Sequence, residues 1–386
     1  MAIDPLYPEL NRTQLQTLFS YEQASFANLC SKLNMKQVEV ESLMLQDLKQ
    51  TFVQIFDDLQ NMTIGNIELP DDLKRVLNIS DFWEMNRFVV ALRKNEIVQD
   101  ILVAIESTFD NDEINVTKLP INWQYWMDLI RNKVNPTFGR LGKSYSIEQT
   151  LNTIPHLCLF TNEYNAFLSG KYKLGPVPII CVPVLLEQIN YQFLNILAPL
   201  IVSKDDSGVF GPTSKDEVQT KAKDQGFIRT CKGFFKVVFG NTLKYVVDPA
   251  VQTMAERGLE ERIILDLMVS SANKFVWLHE YGHLLQGHLE RQPAPKLELE
   301  ADRFALFMIA LASKRITMVT GQISQFILIG VIYLLIIIWV IEKKGKIVDS
   351  ETHPPAVERL MYLLEKSTQL EELYARNILA ALLMPT

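Results

Sequence analysis

From Phe326 to Ile341 the chain runs without a single charged side chain, and Glu342-Lys343-Lys344-Gly345-Lys346 follow at once. A helix built from such a run is apolar on every side, so it cannot lie on a protein surface with one face in water. It has to be walled in by other helices, sit in a membrane, or be covered by a partner. The run falls short of the ~20 apolar residues that cross a bilayer unless Gln322 to Gln325 are added to it. With 386 residues, 48% hydrophobic and 22% charged, the composition is that of an ordinary globular protein and excludes a disordered chain.

The segment ahead of this run carries the chemistry. His279 and His283 stand in Phe275-Val276-Trp277-Leu278-His279-Glu280-Tyr281-Gly282-His283-Leu284-Leu285. On a helix that spacing puts both imidazoles on one face, one turn apart, where they can clamp a single metal ion. Glu280 follows the first histidine directly, the place of the carboxylate that takes a proton from metal-bound water in zinc peptidases of the HExxH pattern. Alone, the pattern is short enough to arise by chance on a buried helix. Yet the histidines number only 5, namely His156, His279, His283, His288 and His353. The flanks are also uncharged, as a helix that carries a metal into the interior requires.

A catalytic zinc takes three protein ligands and leaves the fourth position to water. Downstream, Glu298-Leu299-Glu300-Ala301-Asp302 opens a second amphipathic helix that continues as Arg303-Phe304-Ala305-Leu306-Phe307-Met308. Glu298 and Asp302 share a helix face, so with Glu298 as third ligand Asp302 can hydrogen-bond the far nitrogen of a ligating histidine. Were Glu300 the ligand, Asp302 would lie about 200° around the helix and out of reach. Glu298 is preferred and Glu300 is the alternative; a solvated acidic helix start, favoured by the dipole, is the bland reading of both. On a continuous helix His288 is half a turn out of phase with His279 and about 140° from His283, so it is left off the ligand set. If the helix stops at Gly287, His288 can turn back, with capping of the last carbonyls as its expected role.

Taken together, HEYGHLL, ELEADRFAL and Thr352-His353-Pro354-Pro355-Ala356-Val357-Glu358-Arg359-Leu360 resemble the gluzincin pattern of HExxH, ExxAD and a later HP-x-x-x-R segment. The likeness is closest to the prokaryotic phage-exclusion peptidases of the Lit type and more distant to the HtpX-like zincins, and it extends from about residue 270 to 365. It implies a zinc-dependent metalloendopeptidase acting on a protein or peptide substrate, with Zn2+ held by His279, His283 and Glu298. Glu280 would be the general base and Asp302 the support behind a ligand. An activating protein partner and a role in phage exclusion come from the same likeness. His353 and Arg359 match the HP-x-x-x-R segment, and either can donate to the oxyanion of a tetrahedral intermediate. A histidine before two prolines also caps a helix start, and an arginine also pairs with an acidic neighbour. The Lit-type pattern has an apolar stretch at the place of 326–341, and a single membrane crossing there would part His353 from His279. A buried core helix is therefore expected, with a membrane or partner helix as the alternative.

Nothing before residue 250 carries a recognisable motif, so substrate choice does not transfer. The net charge of −7 and pI near 5.4 give no basic footprint for nucleic acid. Cys30, Cys158, Cys181 and Cys231 are widely spaced and read as buried thiols. The start MAIDPLYPEL has neither a basic region nor an apolar run, so cytoplasm is the default.

The fold expected is mainly α (α+β). A helical accessory region covers 1–200, a polar loop 201–226, and a zincin-like domain with a small sheet or hairpin beside the active-site helix covers 227–386. Apolar spacing from Leu15 to Leu59, broken near Asn34, predicts a helical pair, and further helices are expected over 81–107 and 146–170. Lys173 to Leu186, with Pro176, Pro178 and Pro183, reads as an extended edge that cannot be a central strand. Ser203 to Gln225 reads as a mobile loop. Phe234 to Phe239 and Leu243 to Val247 flank Gly240-Asn241-Thr242 and predict a hairpin that lies beside the active-site helix. Two other functions compete: a membrane-associated HtpX-like zincin in protein quality control, and a non-catalytic sensor with a structural metal site. Glu280 weighs against the sensor, because a structural site has no use for a base.

Overall fold

The computed structural model describes residues 11–62, 76–109, 259–288, 291–317, 323–345 and 354–366, with shorter stretches between 151 and 224. Helix α1 (Arg12–Leu33) begins where Asn11 and Gln14 exchange side-chain to backbone hydrogen bonds of 3.0 Å, a capping box that satisfies two otherwise orphaned N–H groups. It ends at Asn34, whose φ of 53° is one that asparagine tolerates better than most residues. Helix α2 (Gln37–Met62) follows, so the pair expected over Leu15 to Leu59 forms with its break at Asn34. Helix α3 (Phe82–Phe109) is capped by Asp81, which accepts from Glu84 N at 2.8 Å, and it realises the helix expected over 81–107. Phe26 of α1 packs against Phe82, Trp83 and Phe160 with ring centroids 5.3, 5.2 and 5.0 Å away. Each such pair is worth about 0.5–1.5 kcal/mol beyond its buried area.

Two sequence expectations fail in the next stretch. Within 146–170, described residues place strand β1 (His156–Leu159) and strand β2 (Phe167–Leu168), and only Leu151 and Asn152 are helical. An apolar run buried on both faces cannot be told from a helix by periodicity, and Pro155 stops a helix just ahead of it. Strand β3 (Ile180–Pro183), expected to be an edge, is instead central: the order is β1-β3-β2, with β1 parallel and β2 antiparallel to it. Its proline stands at the last position, opposite Leu159, so Ile180 to Val182 keep the N–H groups that a central strand needs.

The outer edge of β1 is covered by α1. Cys158 N donates to Glu22 Oε1 at 3.4 Å and Phe160 N to Ser25 Oγ at 3.2 Å, so a helix supplies the acceptors that a neighbouring strand would offer. Within 203–225 the described residues include parts of two strands, β4 (Val202–Lys204) and β5 (Phe210–Pro212), which pair antiparallel. The hairpin expected over 234–247 lies outside the described residues.

Four helices follow: α4 (Leu259–Leu285), α5 (Pro295–Thr317), α6 (Ile323–Gly345) and α7 (Ala356–Lys366). Among the described residues the three-stranded sheet lies beside α4, which it meets through β3 and β2. Helix α6, the apolar run, packs on α4, α5 and α7, and Tyr333, Leu334, Leu335 and Ile336 are 0% exposed. It is the core helix that its composition demands. Among the described residues no helix is long and apolar enough to cross a membrane. At Gly330 a Cβ would overlap the Met268 carbonyl, so α6 and α4 touch backbone to backbone.

One apolar cluster draws on both halves of the chain. Phe26, Ile97, Ile101 and Ile180 share it with Phe275, Tyr281, Phe304 and Tyr333. Lys274 of α4 pairs with Glu96 at 2.8 Å and Asp100 at 2.9 Å, both on α3. Helix α3 thus packs directly on the motif helix.

Candidate metal centre

Antiparallel contact between α4 and α5 builds the site. Gly282 permits the approach: a Cβ there would meet Ala301 Cα at 3.2 Å and Phe304 Cδ1 at 3.1 Å. Pro295 at the first position of α5 loses no hydrogen bond and starts the helix so that Glu298 lies in its first turn. His279 Nε2 and His283 Nε2 come within 3.0 Å of each other. Glu298 Oε2 is 3.3 Å from His279 Nε2, and Glu298 Oε1 is 3.4 Å from His283 Nε2.

The grouping suits an ion between the three side chains, with one Glu298 oxygen turned toward each histidine. Tetrahedral zinc with ligands at about 2.0–2.1 Å sets its ligand atoms about 3.3–3.4 Å apart. The three residues offer ligand atoms that all lie within 4.8 Å of one another. Electrostatics agree with the geometry. Burial disfavours charge on His279, but contacts with Asp302 and Glu298 outweigh it and push the imidazole up to about 9. Burial would raise Glu298, yet both histidines hold it well below the usual carboxylate range. The pocket favours positive charge at its centre, and a divalent cation answers that preference better than a proton.

Asp302 stands behind His279. Its Oδ1 is 2.8 Å from His279 Nδ1, and it is 0% exposed. Burial opposes its ionisation, but Arg359 first and His279 second bring the carboxyl down to about 2. Arg359 donates from Nε to Asp302 Oδ2 at 2.8 Å and from Nη2 to Oδ1 at 2.6 Å, a bidentate pair. The guanidinium is thus engaged with an acidic neighbour. Helix α7 is set for this by Glu342, whose Oε2 accepts from Ala356 N at 3.0 Å and caps its start. His353 lies outside the described residues.

Glu280 is 4% exposed, one residue from His279. The neighbouring Tyr281 shares the opposite side of α4 with the sheet: its OH is 2.9 Å from His156 Nε2, and that imidazole rests on Trp277 at 4.3 Å between centroids. Burial pushes Tyr281 up and, with Lys94 nearby, His156 down, so both stay neutral. Glu300 points away from the triangle. Its Oε2 is 3.3 Å from His288 Nε2, with Arg291 at 3.8 Å, and its Oε1 is 3.5 Å from Lys296.

His288 departs from its expected place. Helix α4 ends at Leu285, and Gly287 at φ 67° turns the chain back, a conformation that glycine adopts without strain. His288 then points inward, 5% exposed, with its Nδ1 2.9 Å from His283 Nδ1. It caps no carbonyl in this arrangement. The signal for this is Gly287, one residue past the last apolar pair, acting as the helix stop that the sequence offered as an alternative.

No curated protein and no solved structure matches the chain. Residues 190–378, which hold all of α4 to α7 and make up just under half of the chain, match the model of the family described as Peptidase U49, so the part that carries the metal triangle is similar to a family of peptidases.

Proposed function

We propose that the protein is a zinc-dependent metallopeptidase that hydrolyses peptide bonds of a protein substrate. The observation that carries the reading is the group of His279, His283 and Glu298, whose ligand atoms all lie within 4.8 Å of one another, inside a region that matches a peptidase family. These three residues hold the ion, which when bound supplies the Lewis acidity that makes water nucleophilic near neutral pH. Glu280 takes the proton from the attacking water and returns it to the leaving amine nitrogen. Asp302 holds His279 with its Nε2 toward the ion, and Arg359 keeps Asp302 ionised. Burial of the whole group limits competing water and strengthens each of these interactions.

Resemblance to the Lit-type peptidases extends the proposal to an enzyme switched on by a protein partner, working in the cytoplasm in phage exclusion. Enclosure of α6 by α4, α5 and α7 speaks against a membrane-anchored alternative. The test pairs zinc content with proteolysis for wild type, His283→Ala and Glu280→Gln. Expected is about one zinc per chain in wild type and in Glu280→Gln, none in His283→Ala, and cleavage by wild type alone. Zinc retained by His283→Ala, or turnover by Glu280→Gln, overturns the assignment.

A further inference from the structure

We propose that His288 and Glu300 form a relay that fixes the tautomer and orientation of His283, making His288 a positioning residue for metal binding. The proposal rests on the zinc reading above, in which His283 uses Nε2 toward the ion. An imidazole that coordinates through Nε2 carries its proton on Nδ1. His283 Nδ1 lies 2.9 Å from His288 Nδ1, so that proton has an acceptor only if His288 keeps Nδ1 bare. The His288 proton is then on Nε2, and Nε2 faces Glu300 Oε2 at 3.3 Å. The first link is a hydrogen bond and the second an electrostatic approach without hydrogen-bond alignment, to a carboxylate whose two oxygens are also approached by Lys296 and Arg291.

The backbone is shaped for this contact. Gly287 at φ 67° reverses the chain after α4, and Gln286 Nε2 donates to the Glu300 carbonyl oxygen at 3.2 Å, tying the turn to α5. The His288 ring meets that of His283 edge to face, with centroids 5.0 Å apart. The two histidine ligands are thus held by different means. His279 has a buried carboxylate at its back, whereas His283 has a neutral imidazole backed by Glu300, whose side chain is 28% exposed.

The relay is tested on the full-length protein by zinc competition against a chromophoric chelator, with folding followed by circular dichroism. Variants are His288→Ala, Glu300→Ala and Glu300→Gln, beside wild type and His283→Ala. Groups behind a ligating histidine typically set affinity by about 10- to 100-fold. His288→Ala should lose affinity in that range, and added imidazole should restore part of it by filling the vacated place. Glu300→Ala and Glu300→Gln should both lose less, because each removes the negative charge beside Nε2 and leaves the His283–His288 hydrogen bond in place. Glu300 is part exposed, so its variants report even if His288→Ala fails to fold. Wild-type affinity in folded His288→Ala, or equal affinity in Glu300→Ala and wild type, overturns the relay. Complete loss of zinc in His288→Ala, as in His283→Ala, overturns it too, by making His288 a direct ligand. A wild-type chain that binds no zinc overturns the metallopeptidase reading itself, which the other outcomes leave standing.

Discussion

Replacing Arg359 by methionine removes one partner of the pair behind His279 while the long side chain still fills the apolar part of the space. Asp302 is 0% exposed and Arg359 5% exposed, and two bonds of 2.8 and 2.6 Å join them. Breaking a buried pair from one side costs about 3–5 kcal/mol, because the remaining charge has no water to return to. His279 still faces Asp302 at 2.8 Å, so the lower end, about 3 kcal/mol, is expected for the metal-free protein at pH 7. Arg359→Lys keeps the charge but not the fork, and should fall between. Adding Asp302→Leu to Arg359→Met removes both charges and should recover most of the stability. It should not recover metal binding, since His279 Nδ1 then has no acceptor, and zinc affinity should drop about 10- to 100-fold. Urea unfolding in the presence of a chelator reads the first quantity and metal competition reads the second. If Arg359→Met unfolds within about 1 kcal/mol of wild type, the desolvation argument fails. If the double variant binds zinc like wild type, Asp302 does not orient His279.

Glu22 is buried with its Oε1 on Cys158 N, and burial raises its carboxyl to about 7, against the lowering effects of that N–H and of Arg87. A raised carboxyl favours the folded state below the unfolded pKa near 4.5 and loses that advantage as pH rises through 7, so the wild type should lose about 3 kcal/mol between pH 4 and pH 8. Glu22→Gln keeps an acceptor and removes the titration. Its denaturation midpoints should therefore overtake those of wild type as pH rises, and parallel pH profiles would show that Glu22 does not ionise in place. Gly330→Ala sets a gain of about 1 kcal/mol in helix propensity against overlap with the Met268 backbone. Overpacking between two main chains has no flexible atom to yield and should win by about 1–3 kcal/mol, seen as a lower melting temperature. An unchanged or higher one would mean that α4 and α6 separate freely.

How much of this was readable from the residues depends on how far apart the partners are in the chain. His279 with His283, and Glu298 with Asp302, are pairs within one helix, where periodicity alone fixes the shared face. Choosing Glu298 over Glu300 followed from the same geometry, because only Glu298 leaves Asp302 on the ligand side. The break at Asn34 and the start of α3 after Asp81 were legible as local capping. The helix expected through residue 156 was not, since Leu157, Cys158 and Leu159 are buried on both faces and carry neither period. The rank of β3 in its sheet was hidden for a related reason. Prolines demote a strand only where they fall inside it, and the position of Pro183 relative to the last ladder bond depends on Leu159, far back in the chain.

What lay beyond reach was the support behind each ligand, and it shows why the apolar run is where it is. Asp302 meets Arg359 only because the chain, after leaving α5, runs the length of α6 and re-enters at α7. The return is locked by Glu342, which closes the apolar run and caps Ala356 N at 3.0 Å. Helix α6 packs on both α5 and α7, the helices that carry that pair, and Asp302 is 0% exposed; at a protein surface such an ion pair would be worth about 0–1 kcal/mol. The apolar run thus packs on both helices that supply the carboxylate and the guanidinium behind His279, and its own closing residue, Glu342, caps the second of them.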